Sequence, residues 1–173
     1  MIRSRAAFAL LGLGLLAAGP ARAEQNPLDA VPDKMPFNVP YGAPIDLKHA
    51  EAAMHAAIAE ATKRGWPMNV AVVDSGGNLV AFARMDGAQI ASVSIAQHKA
   101  RTAASFRRAT RVLEDAVQKS GYLYALSLDG VIASRGGIPL IEDGKLIGAI
   151  GCSGGAGAQD EVVCTAGAAT INK

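Results

Sequence analysis

Residues 134–161 read SRGGIPLIEDGKLIGAIGCSGGAGAQDE, and this stretch decides the fold. Two apolar runs, 138–141 and 146–150, lie on either side of an Asp-Gly pair at 143–144. Asp-Gly between apolar runs is typical of a β-hairpin, because such turns need a positive φ that glycine adopts at little cost. The sequence therefore predicts two antiparallel strands joined by a tight turn.

The second strand of this hairpin runs into a glycine-rich loop at 151–157, and residues 159–170 return to helical spacing. A helix N-terminus presents free N–H groups, so Asp160 and Glu161 are favourably placed in the first turn of the predicted helix. The loop lacks the Gly-Lys-Ser/Thr ending of a P-loop and the spacing of a dinucleotide fingerprint. We interpret it as a tight connection between a strand and a helix.

The first 23 residues have the pattern of a secretory signal peptide. Two arginines precede the apolar run 6–18, and residues 21–23 read Ala-Arg-Ala, a cleavage signal. The apolar run is too short to span a bilayer comfortably. Cleavage after Ala23 would remove three of the 17 basic residues and none of the 15 acidic ones, changing the net charge from +2 to about −1. We therefore expect a periplasmic or secreted protein that does not bind nucleic acid.

The remaining chain divides into an arm and one domain. Residues 24–45 carry five prolines, a density that favours extended backbone, and Phe37 and Tyr41 are candidate anchors on the same domain or on a neighbouring subunit. Residues 46–173 are long and apolar enough for one globular domain with its own core.

Five further elements precede the hairpin. Capping residues and apolar spacing predict a helix from Asp46 as N-cap to about 64, strands at 69–74 and 79–84, a helix at 91–107, and a helix from Thr110 to about 119. The strand at 69–74 is apolar on both faces, which predicts a central position in the sheet. Residues 122–128 are a loop or an irregular strand, and residues 131–134 are a candidate short strand.

These elements predict the α+β fold class. We expect about five strands, mainly antiparallel, with helices on both faces of the sheet, because the strands come in hairpins separated by helices. Pro139 cannot donate to a strand ladder, so its strand is predicted to lie at an edge or to turn the proline nitrogen away from any partner.

Lys99 lies on a partly apolar face of the helix at 91–107, together with Ile95 and Thr102. Either its stem carries the ammonium group to water, or the ammonium points into a cleft that holds a negative partner. His98 and Arg101 occupy the adjacent face, where spacing alone favours a surface histidine.

Cys152 and Cys164 are the two cysteines of the chain. In an oxidising compartment they are candidates for a disulfide that would join the last strand to the last helix. The alternative is two buried thiols that behave as small hydrophobic groups.

Three segments together resemble the GlcG/HbpS family of haem-binding or haem-degrading proteins, which is similar to the C-terminal domain of PduO-type cobalamin adenosyltransferases. They are VAVVDSGGNLVAFARMDGA at 70–88, SIAQHKARTAASF at 94–106 and GGIPLIEDGKLIGAIGCSGGAGAQDE at 136–161. The resemblance implies a profilin-like fold, assembly into homo-oligomers from dimers to octamers, and haem or iron binding by secreted members. Cys152 stands where many members carry a small aliphatic residue.

The resemblance also implies a haem site, which needs an apolar slot, axial ligands and cations for the propionates. The residues assigned to this site are His98, Lys99, Arg101, Thr102, Arg84, Asp86, Gly136 and Gly137, with His98 as the candidate iron ligand. His98 and Lys99 are adjacent on a helix and cannot point the same way. If Lys99 faces the cleft, His98 is therefore expected to serve a second site or a subunit interface.

Three functions remain open at this point. The first is a haem or iron binder that acts as a carrier, buffer or sensor accessory. The second is a small organic-acid binder or an enzyme of glycolate-type metabolism, with Lys99, Arg84 and the amides of 136–137 holding the carboxylate. The third is a structural or signalling partner with a vestigial cleft. No nucleophile–base pair is evident, and haem degradation is an activity that only the resemblance suggests.

Overall fold

The computed structural model describes residues 31–35 and 38–172. The predicted signal peptide, residues 24–30 of the proline-rich arm, Pro36 and Phe37 lie outside these residues. In chain order the elements are α1 (Leu47–Arg64), β1 (Asn69–Asp74), β2 (Leu79–Arg84), α2 (Ser92–Phe106), α3 (Thr110–Ser120), a 3₁₀ segment (Leu123–Ser127), β3 (Gly137–Glu142), β4 (Lys145–Ser153) and α4 (Gly157–Ala168). No helix within these described ranges is long and apolar enough to span a membrane.

The strands form one antiparallel sheet in the order β2-β1-β4-β3. The described residues therefore contribute four strands, and the expectation of about five is wrong by one. Residues 131–134, the candidate extra strand, form a loop against α2 instead. The reason is a tertiary contact, because the N–H of Ile132 donates to the hydroxyl of Thr102 on α2 (3.1 Å) and not to a strand carbonyl.

The sheet is covered on both faces, as the sequence predicts. On one face α1 and α4 enclose the larger apolar cluster, which includes Val70 and Val72 of β1. On the other face α2 packs against Ala71 and Val73. The helix lies so close to β4 that a Cβ at Gly151 would overlap backbone atoms of α2. Alanines on α2 and glycine on β4 thus set the short distance between helix and sheet.

The edge strand β3 is protected by the C-terminal end of the chain. Pro139 lies on this edge strand, which confirms the sequence prediction. The Asn172 side chain accepts a hydrogen bond from the N–H of Ile141 (2.7 Å) and donates to the carbonyl of Pro139 (2.9 Å). These bonds satisfy backbone groups that an exposed strand edge would otherwise offer to another chain.

The last residues of the arm are anchored on their own domain through Tyr41. The Tyr41 hydroxyl donates to the Ser105 carbonyl (2.8 Å), and the Arg107 guanidinium lies 5.1 Å from the centre of the Tyr41 ring. The backbone at Tyr41 also forms a parallel bridge with Leu146, at the start of β4. The sequence left open whether Tyr41 anchors the arm on its own domain or on a neighbouring subunit. In the structure it anchors the arm on its own domain.

Cys152 and Cys164 form a disulfide with a Cα–Cα separation of 5.6 Å. Both residues are buried in the larger apolar cluster. The bond joins the end of β4 to the middle of α4. It therefore holds α4 in place beside the glycine-rich loop at 151–157.

Candidate functional site

Buried polar side chains concentrate at the end of the sheet where β1 begins and β4 ends. Asn69 opens β1 and is paired in register with Ser153, the last residue of β4. Ser92 and Lys99 come from α2, and Asp160 comes from the first turn of α4. We call these five residues the polar end cluster. Buried polar groups are costly unless they are paired, so their partners define what this cluster does.

Lys99 and Asp160 form a buried ion pair. The Lys99 Nζ lies 2.7 Å from the Asp160 Oδ2, and the two side chains are 2% and 3% exposed. The other carboxylate oxygen, Oδ1, accepts hydrogen bonds from the N–H groups of Gly154 (3.1 Å) and Gly155 (3.0 Å). The carboxylate thus connects α2 to the glycine loop and to the start of α4.

The glycines at 136 and 137 make room for this pair. Gly136 has a φ of 110°, and a Cβ there would lie 2.8 Å from the Asp160 Cβ and 3.1 Å from the Lys99 Nζ. A Cβ at Gly137 would overlap the Lys99 carbonyl, and the Gly137 N–H donates to the Thr110 hydroxyl (2.9 Å). The structure therefore brings together three of the predicted site residues.

Lys99 faces a protein carboxylate and not an open cleft in the described part of the chain. Of the two alternatives that the sequence left open, the ammonium is buried with a negative partner, and that partner is Asp160. Sequence reasoning placed Asp160 at the helix start but missed its partner, because the two residues are 61 positions apart. A haem-binding role for Lys99, Gly136 and Gly137 stays a prediction. The organic-acid alternative loses support, since Asp160 already neutralises Lys99.

The other predicted site residues do not converge on one place. Arg84 and Asp86 are exposed, at the end of β2 that pairs with the start of β1. Arg101 is exposed and reaches the opposite end of the sheet, where its Cγ lies 3.9 Å from the Cβ position of Gly77 in the β1–β2 turn. His98 is exposed on α2 and makes no hydrogen bond with any residue that the structure describes.

Thr102 is buried and acts as an anchor for the loop after the 3₁₀ segment. Its hydroxyl accepts from the N–H of Ile132 (3.1 Å) and donates to the carbonyl of Gly130 (3.4 Å). These contacts fix the loop against α2. Thr102 therefore influences the surface formed by residues 122–132, although its own side chain is out of contact with solvent.

The rest of the polar end cluster is a hydroxyl and amide network that sequence reasoning missed. Ser92 and Ser153 share a hydrogen bond between their hydroxyl oxygens (2.9 Å), and Ser92 also accepts from the Gln89 side chain (2.7 Å). The Asn69 amide nitrogen donates to the Gln89 carbonyl (3.2 Å). This network joins the start of α2 to the central strands.

A second charged group links α3 to the strand end and to α4. Arg135 pairs with Glu114 through its Nε (2.6 Å) and also donates its backbone N–H to that carboxylate (2.6 Å). The bond from Glu114 raises the pKa of Arg135, and the bond from Lys119 lowers the pKa of Asp115. These partly exposed pairs orient the loop before β3, and they contribute little individually to stability.

The 3₁₀ segment exposes an apolar surface that the sequence did not resolve, because 122–128 fits either a loop or an irregular strand. Leu123, Tyr124 and Leu126 are 65%, 56% and 64% exposed, and Leu128 is also exposed. We call these four residues the leucine patch. Ala125 is buried beneath it. These neighbouring exposed apolar side chains are a candidate contact surface of the domain.

A haem site needs an apolar slot and at least one side chain that can ligate iron. A cavity beside Gly154 and Gly155, lined by Trp66, Pro67 and Met68, has a volume of about 190 Å³. Pockets that hold ligands of drug size are about 300–1,000 Å³, so this cavity is too small to enclose haem. The described residues contain no group of three or more His, Cys, Asp or Glu placed to hold a metal ion.

The antiparallel four-stranded sheet with helices on both faces has the predicted α+β class, and the domain is profilin-like. Residues 45–169 match the family described as "Haem degrading protein HbpS-like", and the chain belongs to this family. The match covers most of the described domain.

Individual relatives agree with this assignment. GlcG of Escherichia coli strain K12 is 41% identical over 104 residues, which are 60% of this chain and 77% of GlcG. The crystal structure of a PduOC–heme complex has a TM-score of 0.69 at 33% identity, covering 75% of this chain and 96% of that one. A double mutant of HbpS from Streptomyces reticuli has a TM-score of 0.69 at 32% identity, covering 83% and 99%.

Proposed function

We propose that this protein binds haem and acts in the periplasm or outside the cell as a haem carrier, buffer or sensor accessory. The observation that carries the proposal is the similarity of the whole domain to PduOC, which was solved as a heme complex. Membership of the HbpS-like family supports it. The location rests on the signal-peptide pattern of the first 23 residues.

The chemistry required of this chain is reversible binding and orientation. Haem supplies an iron that takes one or two axial ligands, and the chain supplies the ligand atoms and an apolar face.

The proposal is tested by titrating the purified protein with haem and following absorbance in the Soret region. We expect a saturable, shifted Soret band with one haem per subunit or per pair of subunits. A response that rises without saturation and without a shifted band would contradict haem binding.

His98→Ala tests the ligand that the sequence predicts. Its imidazole is exposed and has no hydrogen-bond partner within the described ranges, so it is available to iron. If His98 is an axial ligand, the variant loses the wild-type Soret position and binds haem roughly tenfold or more weakly. His55→Ala is the matched control, since His55 is also exposed but lies on α1. An unchanged spectrum in His98→Ala would remove His98 from the site.

A further inference from the structure

A short segment before α1 completes the sheet beside the start of β4. Antiparallel pairing between β1 and β4 ends at Gly148, which leaves the first residues of β4 without a partner from β1. The Leu146 N–H donates instead to the Pro40 carbonyl (2.8 Å), and the Leu146 carbonyl accepts from the Gly42 N–H (2.7 Å). We call residues 39–45 the strap, because they cover backbone groups of β4 that β1 does not reach.

The strap has a fixed end and a closely fitted middle. Its last residue, Ile45, is buried in the larger apolar cluster and donates its N–H to the Ile147 carbonyl (2.8 Å). At Gly42 a Cβ would lie 2.9 Å from the Lys145 Cβ and 3.3 Å from the Ile147 Cγ2, which is closer than such atoms normally approach. A side chain at this position therefore pushes the strap away from β4.

The strap is also attached to the last turn of α2. The Tyr41 hydroxyl donates to the Ser105 carbonyl (2.8 Å), one of the terminal carbonyls that have no partner within the helix. The Arg107 Nη1 donates to the Val39 carbonyl (2.9 Å), and the guanidinium lies 5.1 Å from the centre of the Tyr41 ring. The strap therefore joins the start of β4 to the C-terminal end of α2.

The two ends of α2 are held by different kinds of contact. Its N-terminal part is held by buried polar contacts, which are the Ser92–Ser153 hydrogen bond and the Lys99–Asp160 ion pair. At its C-terminal end Tyr41 is 51% exposed, so water competes for the bond that its hydroxyl makes. Segments held by exposed hydrogen bonds open locally at a lower free energy than the core. The strap end of the domain is therefore the end that opens first.

We propose that the strap is a latch that opens without the rest of the domain. When the Tyr41 hydroxyl leaves α2, residues 39–44 move away from β4 and pivot on Ile45, which stays in the core. The open form presents the N–H and C=O groups of Leu146 as a strand edge, a feature with which another extended chain can pair. Residues 39–44 precede the segment 45–169 that matches the HbpS-like family, and the latch does not depend on haem binding.

Tyr41→Phe tests the latch, because it removes only the hydroxyl that bonds to α2. Hydrogen exchange of single amides is followed by NMR of the purified protein. We expect the Gly42 and Leu146 amides to exchange roughly three- to tenfold faster than in the wild type, which is the effect of losing one hydrogen bond. The Ile45 amide should keep its rate. Tyr124→Phe is the matched control, since it removes a hydroxyl from another exposed tyrosine, and it should change none of these rates.

A second variant tests the fit of the strap without removing its bond to α2. Gly42→Val places a branched side chain where a Cβ already crowds Lys145, and we expect the Leu146 amide to exchange faster than in Tyr41→Phe. An unchanged Leu146 rate in either variant overturns the inference. If the Gly154 amide, which bonds to the polar end cluster, accelerates by the same factor as the Leu146 amide, the strap opens only when the whole domain unfolds, and the inference is also overturned.

Discussion

Lys99→Ala is expected to lower the free energy of unfolding by about 3–5 kcal/mol, because it leaves the Asp160 carboxylate buried without its counter-charge. The loss is measured by urea unfolding followed by circular dichroism. The matched control is Lys63→Ala, an exposed lysine at the end of α1, for which a change within about 1 kcal/mol is expected. A loss of less than about 1 kcal/mol for Lys99→Ala would contradict a structural role for the pair.

A double variant separates charge pairing from packing. Lys99→Met with Asp160→Leu removes both charges and keeps most of the volume, and such replacements are often neutral or stabilising. We expect it to be more stable than Lys99→Ala. The two amides of Gly154 and Gly155 lose their acceptor in this variant, so recovery is expected to be incomplete.

Reduction of the Cys152–Cys164 disulfide is the second large effect, with an expected loss of about 3 kcal/mol in unfolding free energy. The bond closes a short loop, and its removal increases the conformational entropy of the unfolded chain. The measurement is denaturant unfolding with and without reductant, together with a count of free thiols. The Cys152→Ala, Cys164→Ala variant should match the reduced protein and show no response to reductant. An unchanged midpoint in fully reduced wild type would show that the bond does not stabilise the fold.

Much of the fold can be predicted from the sequence, because the capping and turn residues that define it act over a few neighbouring positions. Asp46 as an N-cap, Gly65 as a helix stop with φ 68° and the Asp-Gly turn of the hairpin each depend on a few neighbouring residues. Both early strands have the predicted bounds, at 69–74 and 79–84. The loop at 131–134 was harder to predict, because it depends on a hydroxyl that α2 supplies from 30 residues away.

The polar end cluster is harder to predict from the sequence, because its contacts join residues that are far apart in the chain. Lys99 is unusual on an apolar face, which marks it as a residue with a partner, but no spacing rule selects Asp160 from the acidic residues of the chain. The network of Asn69, Ser92 and Ser153 has no motif, since each residue type is common at strand and helix ends. The leucine patch depends on which side chains of a 3₁₀ segment point outward, and that follows only from the backbone path.

Specific haem binding by this domain is tested most directly by native mass spectrometry of the purified protein with a small excess of ferric haem. We expect a dominant species that carries one haem per subunit or per pair of subunits. We also expect this species to persist when the excess haem is removed by gel filtration. A spectrum of haem-free protein, or a statistical series of adducts that disappears on filtration, would contradict it.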